Sequence, residues 1–167
     1  MKNIIPEHHV SDVTQIDEKV FAGKELLVFD IDNTLFYPES TAIRRDILVW
    51  LQEVKKKYRC IGLSNSFTLK KRRDKIERIL GIPVFGGKYK KPTKKLFKIL
   101  QDVYPYPAKH MVMIGDMRLT DIWFGNRNGM HTVLVDPLGD EVLFSLKMMR
   151  TFENFLVWML LFFVRLK

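Results

Sequence analysis

The chain of 167 residues contains one cysteine, Cys60. A single thiol excludes an internal disulfide, so a packed core must hold the fold, and a reducing, cytoplasmic setting is expected. No repeats or low-complexity tracts interrupt the sequence, which excludes solenoid and disordered architectures. Long apolar runs are also missing. The longest, FLVWMLLFFV at 155–164, has ten residues. A helix of that length reaches about 15 Å, half the hydrocarbon core, so it does not span a bilayer. The start, MKNIIPEHHV, lacks the apolar core of a signal peptide. Acids are scarce where bases are dense. Residues 55–98 hold 16 of the 28 Lys and Arg but only two acids, Asp74 and Glu77, giving +14 there and −5 elsewhere. Such a concentration favours an anionic neighbour: a phosphorylated substrate, nucleic acid or an anionic membrane.

What is present reads as alternating strands and helices. Apolar runs at 26–30, 60–64, 111–115 and 131–137 are expected strands, with a short one at 84–85. Ile43, Ile47, Trp50, Leu51 and Val54 fall on one helical face, with Ser40 or Thr41 as its cap. A basic helix should run to Leu80 and stop at Gly81. Pro92 suits a first helical position, ahead of an apolar face of Leu96, Phe97, Leu100 and Val103. Asp116 and Thr120 flank the start of a helix running towards Gly129. Residues 1–24 are expected to be a loop with a short helix, and His8 and His9 part of a solvated tail. The alternation predicts an α/β fold: a Rossmann-like, three-layer parallel sheet with helices on both faces. Ligands in such sheets sit at the carboxyl ends of the strands, where Asp30, Ser64 and Asp116 stand.

Chemistry concentrates there. LLVFDIDNTL (26–35) aims two carboxylates, Asp30 and Asp32, at one spot after a core strand. Their repulsion is relieved by a hard divalent cation, which prefers oxygen ligands. Ser64 and Asn65 follow the next strand, Lys91 precedes a helix, and GDMRLTD (115–121) carries Asp116 and Asp121. This order resembles the haloacid-dehalogenase-like (HAD) phosphatases, subfamily IIIA. The resemblance implies that Asp30 is the nucleophile and a Mg²⁺ ligand. It makes Asp32 the general acid and base, meeting the metal through its backbone carbonyl. Asp116 becomes the third protein ligand, with Asp121 supporting it or Lys91. It places Ser64 and Lys91 on phosphoryl oxygens, with Thr34 and Asn65 beside the substrate. Lys90 is a rival for the motif lysine, although the following proline favours Lys91.

A cap domain is inserted in many HAD enzymes. Here 35–63 and 66–90 are too short for one, so no large cap domain is expected, and the open site suits a large substrate. DIDNTL, SNS, KKP and GDMRLTDIWFGNRNGMHTVLVDPL together resemble the phosphatidylglycerophosphate phosphatase branch. That resemblance implies hydrolysis to phosphatidylglycerol. The expected organisation is a phosphatase domain over 1–140 and an apolar C-terminal helix over 141–167. The helix is flanked by Lys147, Arg150, Arg165 and Lys167, and suits a membrane-interface anchor or a core or oligomer contact. A peripheral position on the inner face of a membrane follows from the first. Alternatives are a phosphatase for nucleic-acid ends or for a small phosphometabolite, and a non-enzymatic anion-binding module. Few aromatics interleave the basic runs, which disfavours nucleic acid. Binding alone does not need both Asp30 and Asp32, which disfavours the module. Oligomeric state is not encoded in any motif.

Overall fold

The computed structural model describes the backbone of residues 2–140 and 144–165 and the side chains of 3–140 and 144–159. Six parallel strands form one sheet: β1 His8–Val10, β2 Leu26–Phe29, β3 Arg59–Leu63, β4 Val84–Phe85, β5 Met111–Gly115 and β6 His131–Val135. Their order is β1-β6-β5-β2-β3-β4. Four helices connect them: α1 Arg45–Lys57, α2 Leu69–Leu80, α3 Lys94–Val103 and α4 Trp123–Asn128. A fifth, α5 Phe144–Arg165, follows the last strand. The expected α/β architecture with helices on both faces is the one observed.

Alternation along each strand builds two cores. Leu27 and Phe29 of β2 and Val112 and Ile114 of β5 pack with Ile47, Leu51 and Ile76 on the α1–α2 face. Leu26 and Val28 of β2 and Met111 and Met113 of β5 pack with Leu96, Leu100 and Phe124 on the α3–α4 face. Both sheet faces are therefore dry, which is why the strands read as continuous apolar runs. Cys60 is buried in β3, and burial pushes its thiol up to about 12.

From β2 the chain steps outward to β3 and β4, then crosses back through α3 to β5 on the other side of β2. The carboxyl end of β2 is thus a topological switch point, and a crevice opens there.

Several expectations shift. Residues 8–10 are an edge strand paired with β6, in the register His8 to Val133, rather than a tail. Helix α1 begins at Arg45 with Arg44 as its cap residue. Ser40 Oγ instead donates to Tyr37 O and accepts from Ala42 N, closing a turn of its own. Helix α3 starts at Lys94, two residues after Pro92. The helix expected between Thr120 and Gly129 opens with a wide π turn, Arg118–Ile122, before α4. Gly81 ends α2 at φ +64°, the left-handed stop predicted for it.

Candidate active site

Strand ends bring the acids together. Asp30 follows β2, and its N–H donates to Ile114 O, extending the ladder with β5 by one residue. Asp116 follows β5 directly. The π turn then folds Asp121 back under that strand end, where its Oδ2 accepts from Met117 N at 3.0 Å. Gly115 permits this: a Cβ at that position would overlap the Asp121 carboxylate. Carboxylate oxygens of Asp30, Asp116 and Asp121 can all lie within 4.8 Å of one another, and all three residues are buried.

Lys91 reaches the same point from the far side of β3. Its Nζ bonds Asp30 Oδ1, donates to Leu63 O at 2.7 Å and lies 2.7 Å from Asp121 Oδ1. The last contact is a fully buried ion pair, so one ammonium is shared between the carboxylates of Asp30 and Asp121. Burial opposes the charge on Lys91, but Asp121 and Asp30 outweigh it and hold the ammonium protonated. Burial pushes the Asp30 carboxyl well above the usual carboxylate range. Lys91 opposes that shift, and Asp121, Asp116 and Asp32 add to it.

Lys91, not Lys90, is the lysine set against Asp30. Lys90 donates instead to Asn65 O at 2.7 Å. Asn65, expected beside substrate, spends both ends of its amide on the backbone of Lys91, at 3.0 Å to its carbonyl and 2.8 Å from its N–H. It therefore clips the Lys91 loop to the end of β3. Thr34, also expected beside substrate, is fully buried and donates to Asp116 Oδ1 at 3.3 Å. Ser64 is buried at the end of β3, and its Oγ accepts from Ser66 N at 3.0 Å.

The Asp32 carboxylate turns away from the other acids. Arg72 of α2 reaches both its oxygens at 2.7 Å, and Glu39 N donates to Oδ1 at 2.9 Å. Burial raises the Asp32 carboxyl above its ordinary value against the pull of Arg72. Its expected link to a metal runs through the backbone, and its side chain is held by Arg72 and Glu39 N at the wall of the cleft.

The cleft above these groups has a volume of about 300 Å³. It is not fully open. Ser145, Leu146 and Met149 of α5 line it opposite Ser64 and Asn65. Arg150 of the same helix donates to Asp116 O at 3.1 Å and pairs with Asp116 Oδ2. Glu153, buried, accepts from Leu119 N at 2.7 Å. The absence of a cap insertion holds, but the C-terminal helix supplies a partial roof.

Sequence reasoning missed Arg72, Arg150 and Glu153. For Arg72 a signal existed: Leu69, Arg72, Ile76 and Leu80 share the buried stripe of α2. An arginine on an apolar stripe needs a buried acceptor.

The donor set fits a hard divalent cation. Three buried carboxylates share two nearby cations, Lys91 and Arg150, and their oxygens lie close enough to one another to share one ion.

Comparison with known proteins agrees with this geometry. A family model described as mitochondrial PGP phosphatase matches residues 1–139. The chain is 35% identical over 166 residues to the chloroplastic phosphatidylglycerophosphate phosphatase 1 of Chlamydomonas reinhardtii, covering 92% of this chain and 61% of that protein. It is 30% identical over 159 residues to YqeG of Bacillus subtilis, covering 92% and 89% respectively. The chain thus spans about three-fifths of the algal relative and most of the bacterial one. Among solved structures, the magnesium-bound YfnB of Bacillus subtilis superposes with a TM-score of 0.53 at 13% identity, over 73% of this chain and 91% of that one. That likeness establishes a shared fold. On the family match and the 30% identity to YqeG, the chain belongs to the mitochondrial PGP phosphatase family.

Proposed function

We propose that this chain is a Mg²⁺-dependent phosphomonoesterase that converts phosphatidylglycerophosphate to phosphatidylglycerol through an aspartyl-phosphate on Asp30. The supporting observation is the buried cluster in which Asp30, Asp116 and Asp121 meet beside Lys91 at the switch point of the sheet. Two features of the substrate class agree with the cleft: a phosphate needs the Lys91 ammonium and the cation that the clustered acids would hold, and a head group carried by a lipid needs a mouth that is only partly roofed.

Asp30, Asp116 and Asp121, with the backbone carbonyl of Asp32, would hold the cation. When bound, it neutralises the clustered carboxylates and polarises the phosphoryl oxygens. An oxygen of Asp30 attacks phosphorus as the ester P–O bond breaks, and the bonding pair leaves with the glycerol oxygen. Asp32 gives that oxygen its proton. Asp32 then takes a proton from water, which attacks the aspartyl-phosphate. Phosphate leaves and Asp30 is regenerated. Ser64 Oγ and the charged Lys91 hold phosphoryl oxygens as negative charge redistributes. Thr34 and Asn65 act one step back, bracing Asp116 and Lys91.

The same proposal treats 1–140 as the catalytic unit and 141–167 as an accessory segment that rests on an anionic membrane. Among the described residues, no helix is long and apolar enough to cross a membrane. Helix α5 has two faces. Leu146 and Met149 line the cleft and Glu153 is buried against Leu119, while Phe144, Met148, Phe152, Phe155 and Trp158 are exposed. The exposed apolar residues recur at helical spacing, with Lys147 and Thr151 exposed beside them, as suits an interfacial helix. The rest of the expected anchor, the side chains from 160 onward, and residues 141–143 lie outside the described residues. The basic 55–98 segment complements anionic lipid, and a peripheral site on the inner, cytoplasmic face of a membrane is part of this reading.

Phosphate release from a panel tests it. The panel holds phosphatidylglycerophosphate in vesicles, a sugar phosphate, a nucleotide, a phosphopeptide and 3′-phosphorylated DNA, each with Mg²⁺ and with chelator. The lipid should be turned over fastest, and only with the metal. Full activity after exhaustive chelation, or preference for the DNA end, would overturn it.

A further inference from the structure

Arg72 is the buried cation that the mechanism leaves unused. It lies in the first turns of α2, 9% exposed, in a helix otherwise rich in solvated lysine and arginine. Each guanidinium nitrogen has its own acceptor. Nε donates to Thr68 Oγ1 at 3.1 Å, Nη1 to Ser40 O at 2.6 Å, and Nη2 to both oxygens of Asp32 at 2.7 Å. Two of these acceptors, Thr68 and Ser40, belong to separate loops at the cleft rim. They fix the plane of the group before Asp32 is considered.

A second element grips the same carboxylate. Glu39 has φ +53°, a left-handed conformation uncommon for a residue with a side chain, and its N–H points to Asp32 Oδ1 at 2.9 Å. The Glu39 carboxylate is tied to Ser66 Oγ at 2.9 Å and to Thr68 Oγ1, and lies 3.8 Å from Arg72. Arg72, Glu39 and Thr68 thus form one frame around Asp32, and Asp32 lines the cleft from within that frame. On the opposite side stands Lys91, which pairs with both Asp30 and Asp121. The two aspartates of one short loop are therefore clamped by different cations from different elements.

We propose that Arg72 is a positioning residue for the proton-transfer step. It holds the Asp32 carboxylate on the side of the cleft where the ester oxygen departs, apart from the metal-binding acids. The guanidinium acts through Asp32 and does not touch the reacting phosphorus. A planar group with three fixed partners sets the direction of the carboxylate as well as its charge, which a lysine ammonium cannot reproduce. Loss of Arg72 frees Asp32 to rotate, and a proton donor displaced by about 1 Å loses much of its effect.

The inference rests on the phosphatase reading above, and leaving-group dependence separates the two. Arg72→Met and Arg72→Lys are assayed by kcat/KM on glycerol 3-phosphate, whose alkoxide needs a proton, and on 4-nitrophenyl phosphate, whose phenolate does not. General acid catalysis contributes about 10²–10⁴-fold, and misplacing the donor should forfeit a large part of it. Arg72→Met should lose about 50–100-fold on the alkyl ester and less than about fivefold on the aryl ester. Arg72→Lys should keep the same contrast at about tenfold, because the charge stays while the fixed plane is lost. Mg²⁺ affinity by calorimetry should be unchanged in both. If Arg72→Met fails to fold, the contrast shown by Arg72→Lys decides. Equal losses on the two esters, in a variant that folds and binds Mg²⁺ normally, would overturn the role of Arg72. A wild-type chain that releases phosphate from neither ester nor from phosphatidylglycerophosphate would overturn the phosphatase reading, and this inference with it.

Discussion

The floor and the roof of the cleft are built by opposite means. The floor stands on strand ends. Asp30, Ser64 and Asp116 follow β2, β3 and β5 with no intervening loop, and below them β2, β5 and all of β3 but Arg59 are buried. Their positions are set by ladder hydrogen bonds and core packing, the stiffest parts of a protein. The roof is a single helix, joined to the floor by polar contacts from Arg150 and Glu153 and by a few apolar side chains. Groups that must be placed to a fraction of an ångström are on the floor. Groups that would meet a lipid under the proposed function are on the roof.

Four variants test that division, from the largest expected effect down. Asp30→Asn removes the proposed nucleophile, and turnover should fall by about 10⁴-fold or more on soluble and lipid substrates alike, with the circular dichroism spectrum unchanged. Wild-type rates in this variant would move the chemistry off the floor. On the roof, Phe155→Ser with Trp158→Ser removes two exposed side chains, each worth about 1.5–3 kcal/mol if inserted. Co-sedimentation with anionic vesicles should weaken by about 100-fold or more, while hydrolysis of 4-nitrophenyl phosphate stays near the parent rate. Undiminished vesicle binding would leave the outer face of α5 to a protein contact.

Asp121→Asn returns to the floor. It takes a charge from the acid cluster, and Mg²⁺ affinity should weaken by about 10–100-fold in a calorimetric titration. Arg150→Gln touches both regions and should do least. Its guanidinium competes with a cation for Asp116, so its loss should tighten Mg²⁺ binding by about fivefold, as befits a partly exposed ion pair. Weaker binding would mean that Arg150 orients Asp116 rather than competing for it.

How much of this was legible follows from the same contrast. The floor was readable because each carboxylate or hydroxyl stands directly after an apolar run, and an apolar run announces a buried strand. Strand β1 was not readable. His8 and His9 are exposed, His9 pairs with Asp136 at 2.8 Å, and the edge is held by backbone bonds to β6 that leave no trace in residue type. The start of α1 was misplaced because Ser40 has the right chemistry for a cap but uses it on its own turn. Asn65 and Thr34 were placed beside substrate since each adjoins a catalytic group. Only the fold shows that their polar atoms are taken up by Lys91 and Asp116. Arg150 and Glu153 were hidden because their partners are 34 positions away, at Asp116 and Leu119.

Those distant partners bear on the order in which the molecule can be completed. The turn from Asp116 to Asp121 is braced from two directions. Arg118 donates to Ile4 O at 3.4 Å, near the beginning of the chain, and Leu119 N is accepted by Glu153, near its end. During synthesis the first brace exists early, but the second arrives only when α5 has left the ribosome. Until then the loop that supplies two of the three clustered acids keeps its contacts to Ile4, Thr34 and Lys91 but lacks the one to Glu153. A chain shortened before α5 therefore carries Asp116 and Asp121 without the contacts that Arg150 and Glu153 make to their loop.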